Sequence, residues 1–377
     1  MQEEQNERAQ DTDKKPIVQK AIGFPCLQCG NQMSFSPERG QLYCSYCKTE
    51  KEIPDKEIEA AEYMYFPEDE HFEAPVWENE PGQVLTCPSC GADTVLGAAA
   101  MTATCPFCSS HYVTEAPADK AVISPETMIP FRISEAAAGN SFTEWVKKQW
   151  LAPRKFKKEA KKPEMKGIYI PFWTFDASLT TNYRGFGGKR RIEHYTVRVN
   201  GKTQTRTRTR TDWYPIGGQM HLDFDNIPCP ATKKIDRALL DKLGGYSLKV
   251  LNVYNPAYLA GFLAERYSIG ISDGFDIVRK TMELRMANHI QSSLHYDTYR
   301  GMQYNHHYEA VKFKHILLPL WLAAYSFHGK VYQFMVNGET GRSAGRAPLS
   351  ALKIALLIGG GILAAGLLLF LLMSLGQ

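Results

Sequence analysis

Eight of the nine cysteines in this chain of 377 residues fall into four Cys-x2-Cys pairs. Such a pair directs two thiolates at one metal ion. The pairs form two sets with the same spacing, Cys26, Cys29, Cys44 and Cys47 in the first and Cys87, Cys90, Cys105 and Cys108 in the second. Four thiolates complete a tetrahedral zinc site and leave no position for a reacting water. We therefore expect two structural zinc ions and no catalysis at either site.

Tight turns on short hairpins are the elements that position these thiolates. The sequence predicts two zinc ribbons, over residues 21–49 and 83–112, each of which needs its ion in order to fold. Gly30 and Gly91 directly follow the second cysteine of their sets, where a tight turn favours a residue without a Cβ atom. Cys229 stands outside both sets and is expected to be a small buried filler.

The segments around the ribbons are polar. Residues 1–20 are expected to be disordered. The linker over residues 50–82 has twelve acidic residues and two lysines within 50–80, a net charge of −10, which repels a phosphate backbone. Its aromatic residues are expected either to pack on a ribbon or to form a strip that docks a partner.

Residues 113–345 mix helix and strand patterns and are predicted to form one α+β domain. We expect one helix from a capping box at Ser141 and Glu144, and further helices over 232–243, 256–266 and 273–298. Strands at 314–327 and 331–336 are expected to form a hairpin. A fragment with a central proline occurs at 128–131, 169–173 and 317–321, and we expect each proline at an edge, a strand start or a bulge. The last two copies indicate two related sheet halves.

A basic hairpin is predicted within this domain. Asn200-Gly201 favours a two-residue turn that places Tyr195 opposite Arg206. The residues predicted to meet an anionic surface are Arg198, Lys202, Arg206, Arg208 and Arg210. Three partners remain open, namely anionic lipid headgroups, a nucleic-acid backbone and an acidic protein surface. The alternative is an edge ribbon that its charge keeps soluble.

The C-terminal segment is the most apolar part of the sequence. Residues 354–375 carry no charge, and 22 residues of helix span about 33 Å, so they are predicted to form one transmembrane helix. Residues 346–353 are then predicted to be the juxtamembrane segment. Lysine and arginine precede the helix, so we expect a tail-anchored, single-pass protein of the cell membrane with its N-terminal domains in the cytoplasm.

Composition and missing motifs narrow the class of function. A formal charge of +4, from 44 basic and 40 acidic side chains, excludes a uniformly basic nucleic-acid coat. The sequence has no phosphate-binding G-x-x-x-x-G-K-[ST], no G-x-S-x-G and no H-E-x-x-H motif. We expect no enzymatic activity, and no small-molecule substrate is indicated.

Several stretches resemble a bacterial family of membrane-anchored zinc-ribbon proteins. They are GIYIPFWTFDA at 167–177, NPAYLAGFLAERY at 255–267, ILLPLW at 316–321 and YQFMVNGETGRSAG at 332–345. The ribbons are similar to those of transcription factor IIB, and such proteins are often labelled primosomal helicase-like although they lack the motor. The resemblance implies an adaptor that works with phage-shock protein A and SPFH-domain (flotillin-type) proteins at the membrane, in envelope stress or membrane organisation.

Two functions follow from the sequence. The first is a tail-anchored adaptor that recruits partner proteins at the membrane. The second is a membrane-tethered nucleic-acid-binding protein that uses the ribbons and the basic hairpin at 195–210. The acidic linker beside both ribbons favours the first.

Overall fold

The structure is a computed structural model. It describes residues 24–54, 61–68, 71–72, 74, 83–87, 89–96, 105–108, 114–115, 123–159, 163–199, 202–249, 251–328 and 330–375. The segment 1–20, predicted to be disordered, lies outside the described residues, as does much of the acidic linker.

The N-terminal part contains short strands only. The first ribbon is an antiparallel sheet of β1 (Ser34–Ser36), β2 (Gln41–Tyr43) and β3 (Glu50–Lys51). The linker contributes β4 (Tyr63–Phe66) and β5 (His71–Phe72). The second ribbon consists of β6 (Gln83–Thr86), β7 (Asp93–Leu96) and β8 (Thr114–Glu115).

Residues 123–345, which we call the platform, are built around one large sheet. Its first part comprises β9 (Thr127–Met128), α1 (Glu135–Lys148), α2 (Arg154–Glu159), β10 (Lys166–Val199), β11 (Lys202–Pro230) and α3 (Arg237–Lys242). Its second part comprises β12 (Asn252–Val253), a 3-10 turn (Pro256–Leu259), β13 (Leu263–Glu265), α4 (Ile271–Leu294), β14 (Thr298–Phe327), β15 (Lys330–Asn337) and β16 (Ser343–Gly345). The strand order β12-β9-β14-β10-β13-β7-β6-β8 brings the second ribbon into this sheet.

The platform consists of two related β-α-β-β halves, β9-α1-β10-β11 and β13-α4-β14-β15. In each half the helix begins eight residues after the first residue of the short strand. The short strands are exchanged, because β9 pairs in parallel with β14 and β13 with β10. The long strands pair antiparallel, with Ile170 opposite Leu318 near the centre. The relation between the two sheet halves that the sequence predicts is therefore confirmed.

Two buried tryptophans follow the same two-fold relation. The indole Nε1 of Trp173 donates to the carbonyl of Ile269 at 2.8 Å, and that of Trp321 donates to the carbonyl of Ile133 at 2.8 Å. Both carbonyls lie two residues before a helix, α4 and α1 respectively. The equivalent hydrogen bonds fix the start of each helix to the long strand of the other half, α4 to β10 and α1 to β14.

Two of the three prolines in the repeated fragment, Pro171 and Pro319, lie inside the long strands, so their predicted placement at an edge, start or bulge is wrong, whereas Pro130 follows the end of β9. On the outer side of β10, β13 pairs with residues 168–169 and β11 begins at Phe172, with Pro171 between them. On the outer side of β14, β9 pairs with 316–317 and β15 begins at Leu320, with Pro319 between them. Each proline occupies a junction between two neighbouring strands, where its missing N–H interrupts no ladder.

The sheet extends beyond the platform core as a long projection. Pairing of β10 with β14 ends at Gly188 and Thr298, whereas pairing of β10 with β11 continues to Val199 and Lys202. We call the two-stranded end, residues 189–199 and 202–212, the arm; eleven residues of strand measure about 36 Å. Helix α4 packs on one face of the three-stranded part, where Phe175 and Leu179 join its apolar cluster.

The predicted fold class, two small ribbons with an α+β domain and one transmembrane helix, is wrong as a whole, because the chain is mostly β-sheet. The segment 256–266, expected to be helical, holds only the 3-10 turn and β13, and Gly261 adopts a φ of +90° between them. Helix α1 starts six residues before the predicted capping box, with Ser134 as its N-cap. Ser141 instead donates to the carbonyl of Ala137 inside the helix.

The C-terminal helix, α5 (Ala351–Leu375), begins against the platform. The ammonium of Lys353 donates to the carbonyls of Trp150 and Ala152 at 2.7 Å each. Its side chains are described through Gly366, and within the described part of the chain no helix has the length and apolarity to cross a membrane. This finding overturns the predicted transmembrane helix over residues 354–375 and weakens the predicted single-pass localisation.

Candidate metal centres and the basic arm

The first cysteine set converges on one point. The four sulfur atoms of Cys26, Cys29, Cys44 and Cys47 lie within 4.8 Å of one another. The sulfur of Cys26 lies 3.4 Å from that of Cys47, and that of Cys29 lies 3.5 Å from that of Cys44. The hydroxyl of Thr49, 3.1 Å from the Cys47 sulfur, lowers the pKa of this thiol to about 6. A thiol that ionises easily is a good metal ligand.

The second set repeats this arrangement. The four sulfurs of Cys87, Cys90, Cys105 and Cys108 also lie within 4.8 Å of one another. The first cysteine again approaches the fourth and the second approaches the third, both at 3.7 Å. Both predicted sets are therefore assembled, each with the same pairing of cysteines.

The sulfur separations fit a metal ion. A tetrahedron with zinc–sulfur distances near 2.3 Å has edges of about 3.8 Å, close to the observed pairs. A disulfide needs about 2.05 Å, and all nine cysteines are free thiols. The two groups can therefore each hold one metal ion. Among the described His, Cys, Asp and Glu residues, these two groups are the ones that gather enough ligand atoms.

Tight turns at the first pair of each set present its thiolates. The N–H of Gly30 donates to the carbonyl of Cys26 at 2.9 Å, and that of Gly91 donates to Cys87 at 2.7 Å. Both glycines adopt the left-handed backbone conformation, with φ angles of +76° and +65°. A side chain would strain that conformation, which confirms the role expected of these glycines. Lys48 takes the corresponding position in the turn of Cys44 and Cys47, at a φ of 66°.

The two ribbons dock differently on the platform. In the second ribbon the knuckle residue before the last cysteine is Phe107, which is 3% exposed and packs in the core cluster of the sheet. The amide of Gln333 donates to the carbonyl of Phe107 at 3.1 Å. In the first ribbon the equivalent residue is Tyr46, which is 75% exposed, and Leu27 on the neighbouring knuckle is 89% exposed. The position before the last cysteine is therefore buried in one ribbon and open in the other.

The first ribbon contacts the platform through its sheet. The N–H of Phe35 donates to the carbonyl of Ala260 at 2.8 Å, and its ring lies 5.1 Å from that of Tyr258. The two parts approach closely at Gly261, because a Cβ atom on this residue would lie 3.0 Å from the Cβ atom of Ser34. This attachment leaves both knuckles pointing away from the platform core.

The described part of the acidic linker packs on the platform, which neither of the two expectations for its aromatic residues foresaw. Strand β4 pairs with β14, and the ring of Tyr65 lies 5.4 Å from that of Phe275 on α4. Glu62 accepts hydrogen bonds from Lys314 at 2.8 Å and Lys312 at 3.3 Å. Burial opposes ionisation of Glu62, but the two lysines outweigh it and lower its pKa. Trp77 and most of the acidic residues lie outside the described part.

The arm has the register that the sequence predicts, with Tyr195 opposite Arg206 and Val199 opposite Lys202. Residues 200–201 of the expected turn lie outside the described residues. Arg206, Arg208 and Arg210 consequently share one face with Tyr195, and this is the face that continues from the α4 side of the sheet. Arg198 lies on the opposite face.

Carboxylates already bind much of the predicted anion-binding face. Glu193 accepts from Arg208 at 3.0 Å and from Arg210 at 3.3 Å. Asp212 lies 3.3 Å from Arg210 and 3.1 Å from Arg191. The hydrogen bond from Arg208 lowers the pKa of Glu193, so this carboxylate stays ionised at neutral pH. Two of the five predicted residues are therefore engaged within the arm itself.

Sequence reasoning missed two groups of surface residues. Leu27 and Tyr46 gave no signal, because the exposure of a knuckle depends on where its ribbon docks. The cations Arg184, Arg190 and Arg300 lie on the face of the sheet opposite α4. The register from the Asn200-Gly201 turn, continued inward along β10, identifies the first two; Arg300 comes from a separate strand that only the tertiary structure brings there.

Comparison with known proteins gives one family relation. The chain is 30% identical over 340 residues to the protein named Uncharacterized protein YdjG of Bacillus subtilis (strain 168), which covers 89% of this chain and 92% of that protein. No family model matches the chain, and no solved structure matches it. The identity and the nearly complete coverage of both chains show that this protein belongs to the same family as YdjG of Bacillus subtilis.

Proposed function

We propose that this protein is a non-catalytic adaptor whose first ribbon binds a partner protein, with zinc as the structural ion in both cysteine sites. The observation that carries the proposal is the contrast between equivalent knuckle residues, Phe107 at 3% exposure and Tyr46 at 75%. One ribbon uses its knuckle to attach to this chain. The other presents the same surface to a second molecule.

The metal sites support a binding role. Each offers four thiolates, and a four-thiolate zinc site is closed to substrate and water. The zinc ions would hold the knuckles rigid, because a ribbon of this size has too few apolar side chains to fold alone. A rigid knuckle loses little conformational entropy on binding.

The surroundings of the knuckle define the partner surface. The first ribbon also carries two cations, Arg39 and Lys48, which lie 4.5 Å and 5.8 Å from the ring of Tyr43. An exposed apolar centre with a polar rim is the usual composition of a protein–protein binding site. We infer a partner with an apolar pocket bordered by carboxylates or carbonyl oxygens.

The sequence resemblance suggests which proteins to test first. Phage-shock protein A-type and flotillin-type proteins are the partners that it implies. Envelope stress or membrane organisation is the process in which such an adaptor would act.

Affinity purification tests the proposal with a matched pair of variants. The variant Leu27→Ser with Tyr46→Ser removes the apolar knuckle, and Leu284→Ser removes a leucine that is 63% exposed on α4. We expect one defined protein to co-purify with the unchanged chain and with Leu284→Ser. Its dissociation constant, measured with both proteins pure, should rise about 30-fold or more in the knuckle variant. Both variants should retain two zinc ions per chain by mass spectrometry of metals. Equal binding by all three proteins would refute the proposal.

A further inference from the structure

The face of the long sheet opposite α4, which we call the open face, carries cations that, among the described residues, have no carboxylate partner over most of its length. On β10 it consists of the even-numbered residues, and Arg184, Arg190 and Arg198 are all exposed there. Arg300 joins them from β14, opposite Phe186. The described carboxylates that neutralise the arm, Glu193 and Asp212, lie on the α4 side. The open face is therefore the electropositive side of this sheet.

Carboxylates border the open face at two places. Asp297 lies at the edge where β14 starts, and its carboxylate accepts the backbone N–H of Arg190 at 2.6 Å. Asp223 and Glu309 lie at the inner end, beside His221 and His307 at 3.2 and 3.4 Å. Between the row of Asn182 and the described tip, the side chains that point to this face are basic, amide, hydroxyl, imidazole or apolar.

A stacked group of rings and a guanidinium stands in the middle of the open face. The guanidinium carbon of Arg300 lies 4.2 Å from the ring centre of Trp213 and 5.3 Å from that of Phe186. Gly188 makes room for this group, because a Cβ atom there would lie 2.9 Å from the Trp213 ring and 2.6 Å from Thr211. Phe186 remains 42% exposed. Trp213 is partly buried, so Phe186 is the exposed ring of this group, and such a ring beside arginine provides a flat surface on which a nucleic-acid base stacks.

Amide groups lie next to this group. Asn182 and Asn305 are opposite each other on neighbouring strands, and Gln303 accepts from the Nε of Arg184 at 2.7 Å. These residues line a shallow cavity of about 360 Å³. Further out, Thr203, Thr205 and Thr207 line the same face of the arm beside Arg198 and His194. Amides can pair with base edges, and threonine hydroxyls with phosphate oxygens.

We propose that the open face binds single-stranded nucleic acid. Arginines would contact the phosphates, Phe186 and Trp213 would stack with bases, and the amides would contact base edges. An acidic polypeptide would explain the cations but not the exposed ring of Phe186 and the exposed amides. A duplex would keep its bases paired and away from Phe186. The site is separate from the knuckle of the first ribbon, so it adds a second activity to the proposed adaptor.

Fluorescence anisotropy of the full chain with labelled 20-nucleotide oligo(dT) and oligo(rU) tests this proposal. Four arginine contacts predict that affinity falls about 50-fold between 50 and 200 mM salt, from a log–log slope of about −2.8. The variant Arg184→Thr/Arg190→Thr/Arg198→Thr should reduce that slope by about 2. The control Arg206→Thr/Arg208→Thr/Arg210→Thr removes the same charge from the α4 side and should change the slope by less than about 1. Phe186→Ala should weaken binding at least about fivefold. Ile192→Ala, at a 67% exposed site on the same face, should not.

Four other results would overturn the proposal. Equal losses in the two triple variants would refute the assignment to the open face, and so would the absence of binding at 50 mM salt. Displacement by poly-glutamate as effective as displacement by the oligonucleotide would show a site for acidic polypeptides. Equal affinity for a 20-base-pair duplex, with no effect of Phe186→Ala, would refute single-strand recognition. Thermal unfolding and zinc content of every variant establish that the fold is intact.

Discussion

Substitution of the two equivalent knuckle residues tests whether the ribbons have different roles. Phe107 is 3% exposed in the cluster that also contains Leu318 and Met335. Truncating a buried phenylalanine to alanine costs about 3–5 kcal/mol, because it removes apolar contacts and leaves a cavity. Tyr46 is 75% exposed, and truncation of such a residue changes stability by about 0.5 kcal/mol or less. We therefore expect a large effect in the second ribbon and almost none in the first.

Thermal unfolding in the presence of zinc measures this difference. For a domain of this size, 1 kcal/mol corresponds to about 2–4 °C in Tm. Phe107→Ala should lower the Tm by about 6–20 °C, whereas Tyr46→Ala should lower it by about 2 °C or less and still weaken partner binding. Phe107→Leu, which retains most of the volume, should lie in between.

Metal content is the necessary control, because loss of an ion would itself destabilise a ribbon. Both alanine variants should hold two zinc ions per chain. A Tm for Phe107→Ala within 2 °C of the unchanged protein would show that the second ribbon is not part of the platform core. An equal decrease for Tyr46→Ala would show that its knuckle is buried in solution, and it would remove the basis of the proposed function.

Three further predictions concern other parts of the molecule. A strong chelator should release two zinc ions per chain, or one from Cys29→Ser, and should abolish amide-exchange protection in β1–β3 and β6–β7 before that in β14. Burial raises the pKa of Glu265 from its ordinary 4.5 to about 8, so the unfolded chain loses this proton first and stability falls as pH rises between these values. Glu265→Gln should therefore gain Tm over the unchanged protein at pH 8 but not at pH 5, and an equal gain at both would contradict this account. Trp173→Phe and Trp321→Phe should each cost about 1–3 kcal/mol in denaturant unfolding, because each leaves a carbonyl before a helix without its donor. Costs that differ by more than about 2 kcal/mol would argue against the two-fold relation.

Features set by local chemistry could be predicted from the sequence. The cysteine spacing identified both metal-binding groups, because a Cys-x2-Cys turn brings its own two sulfurs together and only one further pair is needed. The Asn200-Gly201 dipeptide fixed the register of a hairpin that continues far into the domain, because each residue pair determines the next. The hairpin of the strands predicted at 314–327 and 331–336 is also present, and Phe327 pairs with Lys330.

Features set by tertiary contacts could not be predicted. Pro171 was expected at an edge, but its place between β13 and β11 depends on strands that are distant in sequence. The sequence pattern predicted a helix over residues 256–266, but this segment forms a 3-10 turn and a strand, and the first ribbon docks on it. The sequence did not predict that carboxylates neutralise arginines of the arm, because Glu193 on β10 and Arg208 on β11 meet only when the two strands pair. The register also shows that the predicted residues Arg206, Arg208 and Arg210 lie on the face that holds Glu193 and Asp212. Arg198 lies on the opposite face, away from these two carboxylates.

The two halves of the platform differ most where the arm begins. The first hairpin, β10 with β11, continues far beyond the core, whereas the second ends after eight residue pairs. Helix α4 is 24 residues long and α1 is 14, and the longer helix covers one face of the extended sheet.

Stability gives little reason for this extension. A two-stranded ribbon with both faces exposed buries little apolar surface and is marginal by itself, while ordering each residue costs about 1–2 kcal/mol. Helix α4 covers one side of the three-stranded part only and leaves the rings, amides and arginines of the other side uncovered. The length of the arm and the composition of the open face are both explained if this face binds an extended ligand.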